Sequence, residues 1–80
     1  MPTPSKHRRN PTLVALGTTI RRLRLKQGIT QEQLSLIAEL DRSYVGDVER
    51  GDNSCSVIAL TKIAQALKTT AGELLVDAGL

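Results

Sequence analysis

The chain has 80 residues, and a chain this short hides only about 60% of its unfolded surface on folding, so it builds one core and not two. A hydrophobic fraction of 40% with 24% charged residues is ordinary globular usage and excludes a disordered chain. One histidine, His7, and one cysteine, Cys55, rule out an internal disulfide and leave too few groups to converge as a metal site or a nucleophile–base pair.

Tyr44 is the single aromatic residue, so the core is expected to be aliphatic. No apolar run approaches the ~20 residues that span a bilayer, and Met1 to Asn10 lacks the apolar segment of a signal peptide. A soluble cytoplasmic protein without a membrane partner is therefore expected, and a lone cysteine fits a reducing compartment. The net charge of +3 is unevenly spread. Residues 1–28 carry Lys6, Arg8, Arg9, Arg21, Arg22, Arg24 and Lys26 with no acid, whereas residues 29–80 set Arg42, Arg50, Lys62 and Lys68 against eight acids. Such asymmetry fits a positive surface for a polyanion, and equally a solvated tail plus a charged helix face.

Residues 1–9, with Pro2, Thr3, Pro4, Ser5 and a short basic run, read as a flexible basic arm, and residues 10–80 as the folded domain. Asn10 and Pro11 look like the N-cap and first residue of a helix. Leu13, Leu16, Ile20 and Leu23 then share one face at steps of three and four, Arg21, Arg22 and Lys26 point away, and Gly28 terminates the helix. Thr30 and Gln33 form a capping box at the start of a second, two-turn helix whose buried stripe is Leu34, Ile37 and Ala38.

After the break Glu39-Leu40-Asp41, Asp41 caps a third helix from Arg42 to Arg50 that ends at Gly51. Val45 and Val48 face inward, while Ser43, Gly46, Asp47 and Arg50 face outward with Arg42 at the shoulder. Asp52 to Ser56 is a polar loop. Ser56 caps a fourth helix with Val57, Leu60, Ile63, Ala64 and Leu67 at helical spacing, and Thr70 with Glu73 is a second capping box before Leu74 and Leu75 in a fifth. Five short helices without a strand pattern make an all-α domain.

The second and third helices and the short break between them have the form of a helix-turn-helix, whose second member can enter a major groove; plain packing of consecutive helices is the bland alternative. From Leu13 to Leu75, through the stretches IRRLRLKQGITQEQLSLIAEL, DRSYVGDVERG and IALTKIAQAL, the chain resembles the lambda-repressor-like, or XRE-type, helix-turn-helix domain, a compact five-helix bundle. DRSYVGDVERG is most similar to the controller proteins of restriction–modification systems, small dimeric transcription regulators.

The resemblance implies that Thr30 and Gln31, at the start of the second helix, touch the phosphate backbone, in accord with the positive end of a helix. It also implies that Arg42, Ser43 and Asp47 meet base edges: Arg42 matches guanine O6 and N7, Asp47 accepts from cytosine N4, and Ser43 is permissive. Arg50, Asn53 and Ser54 would follow the backbone. Tyr44 either covers the edge of the core or, as the controller likeness implies, sends its hydroxyl to phosphate or base. Arg24 and Glu49 match a structural salt bridge between the first and third helices.

Arg8 and Arg9 either follow a phosphate strand or belong to a solvated tail, Cys55 reads as a small loop residue, and His7 as a solvated tail group. Where the family's turn usually has Gly, this chain has Glu39, and a left-handed Glu costs about 1 kcal/mol.

A single reading helix touches too few base pairs for operator-grade selectivity, so a homodimer on a palindromic operator is expected, with half-sites about 34–36 Å apart. Leu74, Leu75, Val76 and Leu80 are the expected dimer interface, unless they complete the core. Occupying a promoter represses transcription by exclusion, or activates it if the protein also touches RNA polymerase. Rival readings are an antitoxin of the same fold with a toxin partner, a protein-interaction module without specific DNA binding, and a first helix lying on anionic lipid. The last conflicts with the need of that helix's apolar stripe for the core. An enzyme is the least expected, and no cofactor is implied.

Overall fold

The computed structural model describes residues 9–80, which form α1 (Pro11–Lys26), α2 (Gln31–Ala38), α3 (Arg42–Arg50), α4 (Val57–Ala66) and α5 (Ala71–Asp77), with no strand among them. The arm expected over residues 1–9 lies outside the described residues, with His7 and Arg8, except for Arg9.

Local chemistry sets most of the boundaries. The Asn10 side chain accepts from the Thr12 N–H and Pro11 opens α1. At α2, Thr30 Oγ1 accepts from the Gln33 N–H at 3.0 Å while Gln33 Oε1 accepts from the Thr30 N–H at 2.8 Å, so the reciprocal box is complete. Ser56 caps α4 through the Ala59 N–H. Thr70 accepts from the Glu73 N–H, which is half of the box expected at α5. Asp41 holds the cap position of α3, but its side chain makes no capping hydrogen bond, contrary to the expectation.

Glu39 ends α2 in the left-handed region, at φ 56° and ψ 47°. Its N–H donates to the Leu36 carbonyl and the Leu40 N–H to the Ser35 carbonyl, closing a Schellman-type turn around a residue with a Cβ. Glu39→Gly is therefore expected to stabilise the fold by about 0.5–1 kcal/mol, with a rise of roughly 2–8 °C in melting temperature. An unchanged or lower melting point would show that the turn carries no strain.

The helices enclose an aliphatic core of Leu16 and Ile20 from α1, Leu34 from α2, Val45 and Val48 from α3, Leu60, Ile63 and Ala64 from α4, and Leu67 and Leu74. α3 packs against α1 and α2, α2 also against α4, and α5 against α1 and α4, so α3 is cradled by the two helices that precede it.

Four positions depart from the expected pattern. Ile37 is exposed, because two turns of α2 turn only Leu34, Ser35 and Ala38 inward. Val57 is exposed as the first residue of α4, overhanging the core that Leu60 and Ile63 fill. Gly46, expected on the outer face of α3, is buried beneath the side chains of Arg50 and Gln31. Leu74, expected at a dimer interface, is fully buried as a core residue and presents nothing to a partner.

Candidate nucleic-acid interface

The frame of the site is a buried ion pair. Arg24, on α1, donates from Nε to Glu49 Oε2 at 2.7 Å and from Nη2 to Glu49 Oε1 at 3.0 Å, a two-pronged pairing onto α3. The side chains are only 8% and 2% exposed, so the pair belongs to the interior and not to the surface. Arg24 Nη1 donates further to the Ile29 carbonyl, just before α2, and Gln31 Nε2 donates to Glu49 Oε1 at 3.1 Å. One guanidinium and one carboxylate thus fix α1, the entry to α2 and α3 relative to each other. The expected pair is present, and its burial gives it more weight than a surface bridge carries.

On this frame the start of α2 and the start of α3 reach a common surface. Thr30, Gln31 and Arg42 line one shallow hollow together with Gly28, Ile29 and Glu32. Thr30 Oγ1 accepts from the helix, which leaves its hydroxyl proton to donate outward beside the N–H groups of the first turn. Arg42 and Ser43 are exposed on the first turn of α3.

Asp47 and Arg50, one turn apart, are ion-paired, and Arg50 Nε donates to Asp52 Oδ2 at 3.0 Å. Asp52, foremost through that hydrogen bond, holds the Arg50 guanidinium above its ordinary pKa. Asp47 therefore shares its carboxylate with Arg50, which spacing alone did not reveal. Arg9, placed by the sequence in the basic arm and left open between a phosphate strand and a solvated tail, is fastened to the same place: its N–H donates to the Gly51 carbonyl at 2.6 Å and its Nη1 to the Arg50 carbonyl at 3.2 Å. Asp52 was not singled out from the sequence; the only signal for it was an acid two residues beyond Arg50.

Tyr44 is half-buried on α3. Its ring lies against the core. The hydroxyl donates to the Ser54 carbonyl at 3.2 Å and accepts from the Ser56 N–H at 3.4 Å, tying down the loop. Burial, first, and the neighbouring Cys55 push the Tyr44 hydroxyl pKa up, and burial likewise pushes up the Cys55 thiol. Cys55 is partly buried in the loop and packed against the core. Asn53 is half-buried and Ser54 exposed in the same loop, which leaves α3 at its far end.

At the other end of the chain, Val76 is 70% and Leu80 51% exposed. Leu75 is half-buried against the core. No described helix is long and apolar enough to cross a membrane, and no cluster of potential metal ligands occurs among the described residues.

Comparison with known proteins agrees with this geometry. A helix-turn-helix family matches residues 20–74. The chain is 37% identical to the control protein C.SmaI of Serratia marcescens over 65 residues, covering 81% of this chain and 77% of that one. It is 34% identical to the control protein C.BamHI of Bacillus amyloliquefaciens over 67 residues, or 82% and 83% of the two chains. Among solved structures, the restriction-modification controller protein C.AhdI from Aeromonas hydrophila superimposes with a TM-score of 0.76 at 45% identity, over 78% of this chain and 94% of that chain. The chain belongs to the helix-turn-helix family of XRE type.

Proposed function

We propose that this protein is a sequence-selective regulator of transcription that binds double-stranded DNA as a homodimer on a two-fold operator, in the manner of a restriction–modification controller. One observation carries the reading: Arg42 and Ser43 project from the exposed first turn of a helix whose orientation is fixed from beneath by the buried Arg24–Glu49 pair. A rigidly held helix with a guanidinium at its leading end can present the two-pronged donor that guanine O6 and N7 accept.

In this reading Thr30 and Gln31, together with Arg50, Asn53 and Ser54, meet the phosphate backbone and set the register of α3. Asp47 accepts from cytosine N4 while it keeps Arg50 in place. Tyr44 acts by holding the Ser54 loop against the end of α3. Val76 and Leu80, exposed on and after α5, with Leu75 beside them, form the contact to the second copy. Occupying a promoter then represses by exclusion, or activates where the protein also touches RNA polymerase.

Selecting bound duplexes from a random pool tests the reading directly. The wild type is expected to return a motif of two inverted half-sites. Arg42→Ala should lose preference at one base pair in each half-site and about 1–3 kcal/mol of binding free energy. Arg50→Ala should weaken all sequences alike. A pool without a motif would overturn the reading, and unchanged preference in Arg42→Ala would overturn the assignment of the reading face.

A further inference from the structure

We infer that the groove between α1 and the end of α3 is a second phosphodiester site, which extends the protein's track along one DNA strand beyond the helix-turn-helix. It is lined by Arg9, Thr18, Arg21, Gln31 and Arg50, over a floor made by Arg24 and Glu49. The inference rests on the proposed DNA binding but needs only its sequence-independent part.

Three observations place the site. First, the groove is continuous with the expected backbone contacts. Gln31, at the start of α2, and Arg50, at the end of α3, both line it, and both side chains lie over Gly46: a Cβ built there would stand 3.2 Å from Arg50 Nη1 and 3.6 Å from Gln31 Oε1. Second, Val14, Thr18, Arg21 and Arg24 follow one another at steps of four, three and three residues, so Thr18 and Arg21 form a donor row on one stripe of α1. Third, the cations are not equally engaged. Arg24 is consumed by Glu49 and Arg50 is held by Asp47 and Asp52, whereas Arg21 is exposed and makes no ion pair with any described residue. Arg9 is brought to the groove by its hydrogen bonds to Gly51 and to the Arg50 carbonyl.

The chemistry of this row selects its ligand. Guanidinium forks and a hydroxyl at intervals along an open groove suit a chain of phosphodiesters, each offering two acceptor oxygens, better than a single enclosed anion. Such contacts position the protein without reading sequence, so Arg21 belongs to affinity and register and not to base choice.

The adjacent pair Arg21 and Arg22 supplies the test, because both are exposed on α1 and carry the same charge, but only Arg21 lines the groove. Binding to a duplex of about 20 base pairs and arbitrary sequence is measured across a salt series for the wild type, Arg21→Ala and Arg22→Ala. Arg21→Ala is expected to bind about five- to tenfold more weakly near 0.1 M salt, with the slope of log K against log salt flattened by ~0.9, the signature of one lost phosphate. Arg22→Ala, which removes the same charge outside the groove, should weaken binding by less than about twofold.

In the wild type titrated with the same duplex, the Nε–Hε resonance of Arg21 should shift and that of Arg22 should not, a reading that needs no variant to fold. If the two variants weaken binding equally, or if the Arg21 resonance stays still while duplex binds, the groove is not a phosphate path, whatever motif the selection returns. If the wild type binds no duplex at all, the groove proposal falls. A failed selection with a clear Arg21 effect would instead leave the groove standing and sink the sequence-selective reading alone.

Discussion

Gly17→Ala is expected to lower the stability of the domain by about 3 kcal/mol or more, although helix propensity alone gives the opposite sign. Gly17 lies in the interior of α1, where replacing glycine by alanine ordinarily gains about 1 kcal/mol. Here α1 and α3 approach so closely that a Cβ on Gly17 would overlap the Val48 carbonyl oxygen and stand 2.6 Å from that of Glu49. These are backbone atoms at the end of a helix, which no rotamer change can move. The methyl group would have to displace the last turn of α3, on which the core residue Val48 and the ion-paired Glu49 both sit. Overpacking against a fixed wall is costly, and a domain of this size holds only about 4–12 kcal/mol in all. The expected fall in melting temperature is roughly 10 °C or more. Thermal unfolding followed by circular dichroism decides the sign, and a rise in melting temperature would show that the two helices are not this close.

That glycine also shows how much of the fold the sequence carried. Boundaries were legible where the cause is local: Asn10, Thr30 with Gln33, Ser56 and Gly51 each act on backbone groups within a few residues, and their pattern in the chain is the structure in miniature. The left-handed Glu39 came from family likeness, as an unusual residue where that turn usually has Gly. Partners across the fold were not. Spacing announces an apolar stripe without naming its neighbour, so Ile37 and Val57 were assigned to a core that does not reach them, and Leu74 to a surface it does not share.

The candidate site divides in the same way. The exposure of Arg42 and Ser43 was readable from the helical period, which sets Ser43 outward and Arg42 at the shoulder of α3, whereas their place at base edges came only from family likeness. Arg24 and Glu49 are 25 residues apart and came only from family likeness. The network of Arg9, Asp47, Arg50 and Asp52 joins the first described residue to the exit of α3, and neither periodicity nor likeness contained it.

Glu49→Gln carries the second large effect, and it links stability to the orientation of α3. The substitution keeps the shape of the side chain and removes its charge, which leaves the Arg24 guanidinium buried without a counter-ion. Taking one partner from a buried pair costs about 3–5 kcal/mol, several times the value of an exposed bridge. The loss should show as a lower urea midpoint with an unchanged slope. Replacing both residues by apolar ones of similar volume, Arg24→Met with Glu49→Leu, should recover most of the stability, because the penalty comes from the stranded charge and not from a missing contact. It should not recover DNA binding to the same degree. Gln31 loses the carboxylate that receives its amide, and the entry to α2 loses the guanidinium that holds the Ile29 carbonyl. A double variant that melts like the wild type but binds its operator more weakly would separate the two duties of the pair. A single Glu49→Gln variant that loses less than about 1 kcal/mol would mean instead that water reaches the pair and that it behaves as a surface bridge.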